Sequence, residues 1–374
     1  MTAFRPFDEQ GNMIRTGRTG SGTQGVVSAG RAEAAEIGRE ILAQGGNAID
    51  AAVAVAFALG VCEPNASGIG GGGFMMIRDG KTGKNVFLDF RENAPANAAP
   101  DMYTPKAPGS NYDKDLGNVY GGKSVGIPGD VAGLLYALEH YGTMTPEQVI
   151  SPAAKLAREG YVVTPLLHGD MAEHATQLKT YGDGWKIYLK DGQAWPVGSM
   201  ISNPDLADTL DKIAAGGKDA FYKGEIADKI IAQAEKDGGV LSHADLENFT
   251  VRVLEPVRGT YRGYEIISSP PPSSGGTRII SSLVQVISKL IDHGMSLEEA
   301  IGSPRIGDDQ TDKMIYETRI PAETIEKLQA MGHPVKAYSD WDRIMGSVNG
   351  CVVLPDGTIT GAADPRRDGL AVGL

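Results

Sequence analysis

Residues 45–77 read GGNAIDAAVAVAFALGVCEPNASGIGGGGFMMI, and most of this stretch contains no large charged side chain. From Asn47 to Val61 alanine fills nearly every other position, and no polar face is left beyond Asp50. A helix that is apolar on all sides is typical of a protein core, and alanine has the highest intrinsic helix propensity. Pro64 cannot continue the helix. We therefore expect a buried helix that leads through a glycine run into a buried strand, Phe74–Ile77.

The glycine run at 68–73 contains the spacing G-x-G-x-x-G of dinucleotide-binding loops. That motif requires a strand before the glycines and a helix after them, so that the pyrophosphate meets a helix N-terminus. Here the predicted helix comes first and the predicted strand follows. The order favours a structural role, in which glycines allow a close crossing of backbones, over a phosphate site.

Composition limits the classes of protein to which the chain can belong. Its 374 residues are enough for one large domain or two average ones. Hydrophobic residues make up 41% and charged residues 22%, which favours a sizeable core and argues against disorder. The net charge of -12 disfavours nucleic acid and anionic membrane surfaces as partners.

Cysteine and histidine usage predicts neither a metal centre nor a cofactor. Cys62 and Cys351 imply no disulfide framework, although the sequence leaves a single bridge open. The six histidines are scattered without the paired spacing of metal ligands.

The sequence also bears on localisation. Glu63 and Pro64 interrupt the one candidate for a membrane-spanning stretch, and the first 25 residues lack the apolar core of a signal peptide. We expect no membrane partner and a cytoplasmic chain as written, or a periplasmic or extracellular one if a leader was removed.

Local patterns predict a largely helical middle flanked by strands. Residues 1–24 are polar and rich in glycine, which indicates a mobile N-terminal arm. Apolar periodicity and capping residues predict helices at 31–43, 130–141, 146–159, 165–180, 205–215, 225–236, 278–293 and 321–331, and turn residues predict hairpins around 79–83 and 355–357.

Arg91 follows the predicted strand 86–90 and precedes a loop that Pro95 interrupts. The planar fork of an arginine at such a position suits a carboxylate ligand. A surface ion pair with Glu92 or Asp89 explains the residue equally well from local sequence.

The segment 269–277, SPPPSSGGT, places three prolines and two glycines just before a predicted helix. Amide groups exposed at a helix start can hold an oxyanion or a carboxylate. A rigid linker is the alternative.

Several of these stretches together closely resemble the γ-glutamyltranspeptidase (glutathione hydrolase) family, almost from end to end. The matching segments are GGNAIDAAVAVAFALGVCEPNASGIGGGGFM, DFRENAP, GIPGDVAG, YGTMTPEQVI, FYKGEIADKI, YRGYEIISSPPPSSGG, IDHGMSLEEAIGSPRI and GAADPRRDG.

The resemblance implies an α/β, or α+β, fold: the four-layer αββα sandwich of N-terminal-nucleophile hydrolases with a helical lobe. Members of the family cut themselves before a threonine, whose hydroxyl then attacks γ-glutamyl amides such as glutathione, with the chain's own amine as base. The acyl group passes to water or to an amino acid.

The chain departs from the family pattern at 273–278, where PPPSSGG runs directly into Thr277 and Arg278. In the family a long segment separates the equivalents of these two pieces, and that segment carries the Thr-Thr-His-x-Ser motif with the nucleophile. An in-frame deletion between two similar Gly-Gly sequences would produce this junction; an assembly error in the sequence is an alternative that genomic DNA across the junction would settle.

The resemblance assigns roles to few residues. Arg91 matches the arginine that binds the substrate α-carboxylate. Gly275 and Gly276 match either of two family Gly-Gly pairs, one of which supplies the oxyanion hole. Thr277 could become a new N-terminus by cleavage after Gly276, but its surroundings do not match the cleavage motif. No catalytic residue is assigned.

These observations lead to two functional hypotheses. The first is a γ-glutamyltransferase or glutathione hydrolase relative that is inactive or nearly so. The second is a non-catalytic module that binds γ-glutamyl compounds, forms homo-oligomers, or pairs with an intact relative. We expect residues 25–276 to be large-subunit-like and 277–374 small-subunit-like, together one domain, with central sheets depleted of strands and edges exposed.

Overall fold

The computed structural model describes residues 4–104, 116–271, 277–308 and 313–374. The chain divides into two compact units, which we call the helical unit, Gly46–Val257, and the terminal unit, Met1–Gly45 with Arg258–Leu374. The predicted boundaries at residues 25 and 276 remain a prediction.

Thirteen α-helices lie among the described residues. They are α1 (Ala32–Ala43), α2 (Ala48–Cys62), α3 (Asp130–Tyr141), α4 (Pro146–Glu159), α5 (Pro165–Glu173), α6 (Ala175–Thr180), α7 (Trp185–Tyr188), α8 (Pro204–Tyr222), α9 (Gly224–Lys236), α10 (His243–Glu247), α11 (Thr277–Ile291), α12 (Leu297–Gly302) and α13 (Ala322–Ala330).

Seventeen short strands accompany them in the same part of the chain. They are β1 (Thr19–Gly22), β2 (Val26–Ala29), β3 (Phe74–Arg78), β4 (Asn85–Asp89), β5 (Tyr161–Val162), β6 (Leu189–Lys190), β7 (Gln193–Ala194), β8 (Met200–Ile201), β9 (Arg252–Leu254), β10 (Val257–Tyr261), β11 (Tyr264–Ser268), β12 (Ile306–Asp308), β13 (Met314–Glu317), β14 (Val335–Tyr338), β15 (Gly350–Val353), β16 (Ile359–Ala362) and β17 (Leu370–Gly373).

Helix α2 lies in the core of the helical unit, as its sequence predicts, and packs against α3 and α4. Its N-terminus carries a capping box, in which Asn47 accepts from the amide of Asp50 and the Asp50 carboxylate accepts from the amide of Asn47. Asp50 is fully buried, and its carboxylate also accepts hydrogen bonds from Thr143 and from the amide of Met144. The one charged residue of the helix is therefore satisfied by hydrogen bonds.

The sheet of the helical unit has the strand order β3-β4-β9, and all its pairs are antiparallel. The predicted hairpin forms because Asp79 accepts from the amides of Lys81 and Thr82 in the turn. The prediction that β3 is buried is wrong on one face, where Phe74 and Met76 are exposed. Successive strand residues point to opposite faces. On the face of Phe74 and Met76 the neighbouring Phe87 of β4 is buried, so among the described residues this face is open only at the edge strand β3.

Helix α4 packs against α8 across the helical lobe. Thr145 caps α4 as predicted. Helix α8 is longer than predicted and kinks at Gly217, whose φ of 62° and ψ of -151° lie outside the helical region. The predicted helix 165–180 is divided in two at His174.

The terminal unit contains two sheets of short strands, β1-β16-β15 and β17-β2, that pack closely. Strand β1 forms inside the segment predicted to be a mobile arm, because Thr19–Gly22 pairs with Ile359–Ala362. Glycines allow this close packing: a Cβ atom on Gly20 would lie 2.5 Å from the carbonyl oxygen of Ala371.

Buried charges connect the C-terminal segment to the rest of the terminal unit. Arg305 donates to Asp364 at 2.7 Å, and Arg366 donates to Glu317 at 2.6 Å and to Asp364 at 3.1 Å. All four side chains are fully buried. Buried charges must be paired and hydrogen-bonded. This network therefore fixes where the segment of Asp364 and Arg366 packs against the segment of Arg305 and Glu317.

Helices and short strands occur together in both units, which confirms the predicted α/β class. Sheets in the described residues have only two or three strands. Over the same residues, no helix combines the length and apolar character needed to cross a membrane. Cys62 is buried and Cys351 is exposed, and neither forms a disulfide bond.

Candidate functional site

The glycine run connects α2 to β3 and packs against two other segments of the helical unit. The carbonyl of Gly71 accepts hydrogen bonds from the amides of Gly129 at 2.7 Å and Asp130 at 3.0 Å. A Cβ atom on Gly72 would lie 2.6 Å from the carbonyl oxygen of Phe90. The predicted order of helix, glycines and strand is confirmed, and the glycines serve close packing of backbones.

Strand β4 ends at Asp89, which supports the loop that follows. Its buried carboxylate accepts from the amide of Arg91 at 3.1 Å and lies 2.7 Å from the guanidinium of Arg252 on β9. The turn after β4 is thus held by two charge-assisted hydrogen bonds to the Asp89 carboxylate, one from the amide of Arg91 and one from the guanidinium of Arg252.

The side chain of Phe90 also holds this loop in place. The side chain is buried against α3, where a Cβ atom on Gly133 would lie only 2.0 Å from its ring. Further along, Asn93 accepts from the amide of Ile127 at 2.8 Å, and Asp245 accepts from the amide of Ala96 at 2.8 Å. Contacts on both sides therefore hold the segment 89–96 in place.

Arg91 lies on the surface at the end of β4, between these two anchors. The sequence left open an ion pair with Asp89. In the structure Asp89 pairs with the guanidinium of Arg252 and contacts Arg91 through the backbone amide. A loop held at both ends fixes the backbone position of Arg91, and fixed positions suit residues that orient a ligand.

Two carboxylates flank the glycine run. Glu92 packs beside Gly72, and Asp130 is the first residue of α3. Burial, together with a smaller effect of the charge of Glu92, raises the pKa of Asp130 to about 7. The carboxyl of Asp130 therefore exchanges its proton close to neutral pH.

The other predicted site residues fall partly beyond what the structure describes. Gly275 and Gly276 lie in 272–276, outside the described residues, so their oxyanion role stays a prediction. Thr277 begins α11. Among the described residues, no three His, Cys, Asp or Glu side chains cluster as a metal site would require.

The sequence indicates Asp89 and Glu92 only as alternative ion-pair partners of Arg91, and it does not indicate Asp130 as a member of this site. An acidic residue at the first position of a helix usually reads as a favourable interaction with the helix dipole, so Asp130 gave no local signal. Its contact with the glycine run joins residues about 60 positions apart.

Comparisons with known proteins identify the family of the chain. The family model for γ-glutamyltranspeptidase matches residues 34–277 and 273–374. A glutathione hydrolase proenzyme from Pseudomonas sp. (strain A14) is 44% identical over 273 residues, which are 70% of this chain and 45% of that protein. The chain spans about half the length of the curated relatives that it matches.

Solved structures extend the comparison. The γ-glutamyltranspeptidase of Helicobacter pylori has a TM-score of 0.65 at 39% identity, covering 75% of this chain and 79% of that one. The cephalosporin acylase of Bacillus halodurans has a TM-score of 0.86 over 98% of this chain and 99% of that one; at 22% identity it shows a shared fold alone. The chain belongs to the γ-glutamyltranspeptidase family.

Proposed function

We propose that this protein is a γ-glutamyltranspeptidase relative with little or no γ-glutamyl transfer activity, because it lacks the segment that carries the nucleophile. One observation carries the proposal. The two matches to the family model meet at 273–277, whereas the Pseudomonas relative is matched over only 45% of its length.

The chemistry of the family reaction explains why loss of this segment would abolish catalytic activity. The family reaction, as the resemblance implies it, needs a threonine freed at a new N-terminus so that its amine activates its hydroxyl. None of the threonines here lies in a Thr-Thr-His-x-Ser motif. Thr277 follows the Gly-Gly pair, yet it is the first residue of α11, within a sequence that does not match that motif.

Exposed apolar side chains support the same proposal. In the β3-β4-β9 sheet, Phe74 and Met76 are 36% and 37% exposed on one face, and Val253 is 47% exposed on the other. On α11, Ile280 and Val284 are more than 60% exposed. Sheets and helices normally cover such faces, so these surfaces fit elements from which a covering layer is missing.

Mass spectrometry of the intact chain tests the loss of self-cleavage. After prolonged incubation at neutral pH we expect one species at 39.4 kDa. Two fragments whose masses add up to the chain plus one water would refute the proposal, and the N-terminus of the second fragment would identify the nucleophile.

The geometry around Arg91 favours a second candidate function, binding of γ-glutamyl compounds without turnover. Its loop is held by Asp89 and Phe90, so the backbone that carries the guanidinium needs no ordering when an α-carboxylate binds. Glutathione and glutamate are the ligands that the family suggests, and Gly275 and Gly276 would contact the γ-carbonyl group.

Calorimetry with glutamate and glutathione tests this binding. We expect Arg91→Ala to weaken binding by roughly tenfold or more, since it removes a charge-assisted contact. Arg78→Ala is the matched control, because Arg78 is exposed at the end of β3. Heats that do not saturate with the unmodified chain, or equal affinities for both variants, would contradict the assignment.

The open apolar faces also favour pairing with a second copy or with an intact relative. Light scattering over a concentration series should then show a mass above 39.4 kDa. A constant monomer mass, alone and with an intact family member added, would rule this out.

A further inference from the structure

The terminal unit contains a cleft of about 400 Å³, whose walls come from the chain around Arg15, helix α12, Trp341 and Pro365. No residue of the loop around Arg91 lines it.

The buried arginines of the terminal unit differ in how their charge is balanced. Arg31 pairs with Glu33 and Asp368, and Arg305 and Arg366 pair with Asp364 and Glu317, whereas Arg18 has no carboxylate within ion-pair distance among the described residues. Buried ions are normally balanced by partners of opposite charge. The arrangement therefore favours an anion at its accessible edge.

Arg18 shows the imbalance most clearly. Its guanidinium donates to the carbonyl oxygens of Ile14, Arg367 and Gly369 at 2.6–2.9 Å. Among the described residues, no carboxylate lies within ion-pair distance of it. Burial lowers the pKa of Arg18 to about 10, although the charge of Asp368 opposes that shift. A negative charge nearby would favour its ionised form.

Arg15 is the cation that a ligand can reach. It is half-buried in the cleft wall, and one of its guanidinium nitrogens donates to the carbonyl of Pro365. A guanidinium has five N–H donors, so most of them remain for a ligand. The exposed Thr16 beside it adds a hydroxyl that makes no hydrogen bond within the described structure.

Trp341 supplies an apolar wall to the same cleft and is itself held firmly. Its backbone has a φ of 60°, which is unusual for a bulky side chain. The guanidinium of Arg319 stacks 3.4 Å from the ring centroid. Strained residues held by their surroundings concentrate at functional sites.

We propose that this cleft binds a small organic monocarboxylate, with its carboxylate on Arg15 and Thr16 and its apolar body against Trp341 and Pro365. A monoanion fits better than a phosphate dianion because the carboxylates of Glu298 and Glu299 also line the cleft and would repel additional negative charge. A simple cation would be repelled by Arg15 and Arg18 in the cleft wall.

Titration of the full chain with phenylacetate tests the proposal, read by tryptophan fluorescence and by calorimetry. We expect saturable binding to the unmodified chain, with the fluorescence change lost in Trp341→Phe. Phenethylamine, which has the same ring but a positive charge, should not bind. Equal binding of the amine would overturn the proposal, as would the absence of saturation with phenylacetate.

Variants locate the site. We expect Arg15→Gln to weaken phenylacetate binding by roughly tenfold to a hundredfold, since a hydrogen bond between charged groups is lost. Arg39→Gln removes the same charge from α1, outside the cleft, and should bind as the unmodified chain does. If Arg15→Gln does not fold, Thr16→Val at an exposed position should still weaken binding several-fold. Affinity unchanged in both cleft variants would overturn the assignment.

Discussion

The carboxylate of Asp89 accepts a hydrogen bond of 3.1 Å from the backbone amide of Arg91. The same carboxylate is buried and pairs with Arg252, whose side chain is 47% exposed. The end of β4 and the orientation of the loop after it thus depend on one buried charge with a solvated partner.

This asymmetry predicts unequal effects of removing either partner. Arg252→Ala leaves a buried carboxylate without its counter-charge and should destabilise by about 2–4 kcal/mol. Asp89→Asn leaves only a solvated arginine and should cost about 1–2 kcal/mol. Urea unfolding measures both, with Arg258→Ala as the control for an exposed ion pair. A larger loss in Asp89→Asn than in Arg252→Ala would contradict the account.

Close packing at the glycine run predicts a contrast between neighbouring glycines. A Cβ atom at position 72 meets the carbonyl of Phe90 at 2.6 Å, whereas one at position 70 meets no atom within 4 Å. Gly72→Ala should therefore destabilise by about 1–3 kcal/mol through overpacking, and Gly70→Ala by less than about 0.5 kcal/mol. Thermal unfolding of the two variants would show the difference, and similar midpoints would argue against this packing.

Asp130 predicts a stability change near neutral pH. Its pKa rises from an ordinary 3.8 to about 7 in the folded chain, so between these values the folded state binds more protons than the unfolded state. This group's contribution to stability is therefore lost as pH rises from about 4 through 7. The full shift corresponds to about 4 kcal/mol, and we expect about half because Asp130 keeps some exposure to water.

Urea unfolding at pH 5 and pH 8 checks this expectation. Asp130→Asn should lose that part of the pH dependence and gain stability over the unmodified chain at pH 8. Asp101→Asn, at an exposed position, is the matched control. The same pH dependence in Asp130→Asn and in the unmodified chain would show that Asp130 does not titrate as described.

Asp50 predicts the opposite pH behaviour. Burial pushes its pKa upward, but hydrogen bonds from Thr143, Asn47 and Met144 outweigh burial and hold the pKa below its ordinary value. Its stabilising effect is thus complete above pH 4 and is lost as pH falls through the lowered pKa. Asp50→Asn should cost about 2–4 kcal/mol at pH 7, and the difference from the unmodified chain should shrink in acid. A constant difference across acid unfolding curves would refute this.

Much of the fold could be predicted because it depends on local patterns. The apolar run of α2, the cap of α4 at Thr145 and the hairpin turn at Asp79 all follow from neighbouring residues. Arg91 was found at the end of its predicted strand for the same reason.

The rest depends on contacts between distant parts of the chain. Arg305 and Asp364 are 59 positions apart, and neither shows in its own neighbourhood that it is buried. Strand β1 forms only through its pairing with β16. Whether a face of β3 is exposed depends on which other segments pack against it, and the local sequence does not show this. The raised pKa of Asp130 arises from burial beside Glu92, which no local pattern in the sequence indicates.

Turnover of a γ-glutamyl anilide by the purified chain tests the central claim most directly, with an intact family member as the positive control and Thr277→Ala as the matched variant. The account predicts release of the aniline at the rate of the protein-free blank, for both the unmodified chain and the variant. Release well above the blank that disappears in Thr277→Ala would contradict it, and would identify Thr277 as the nucleophile.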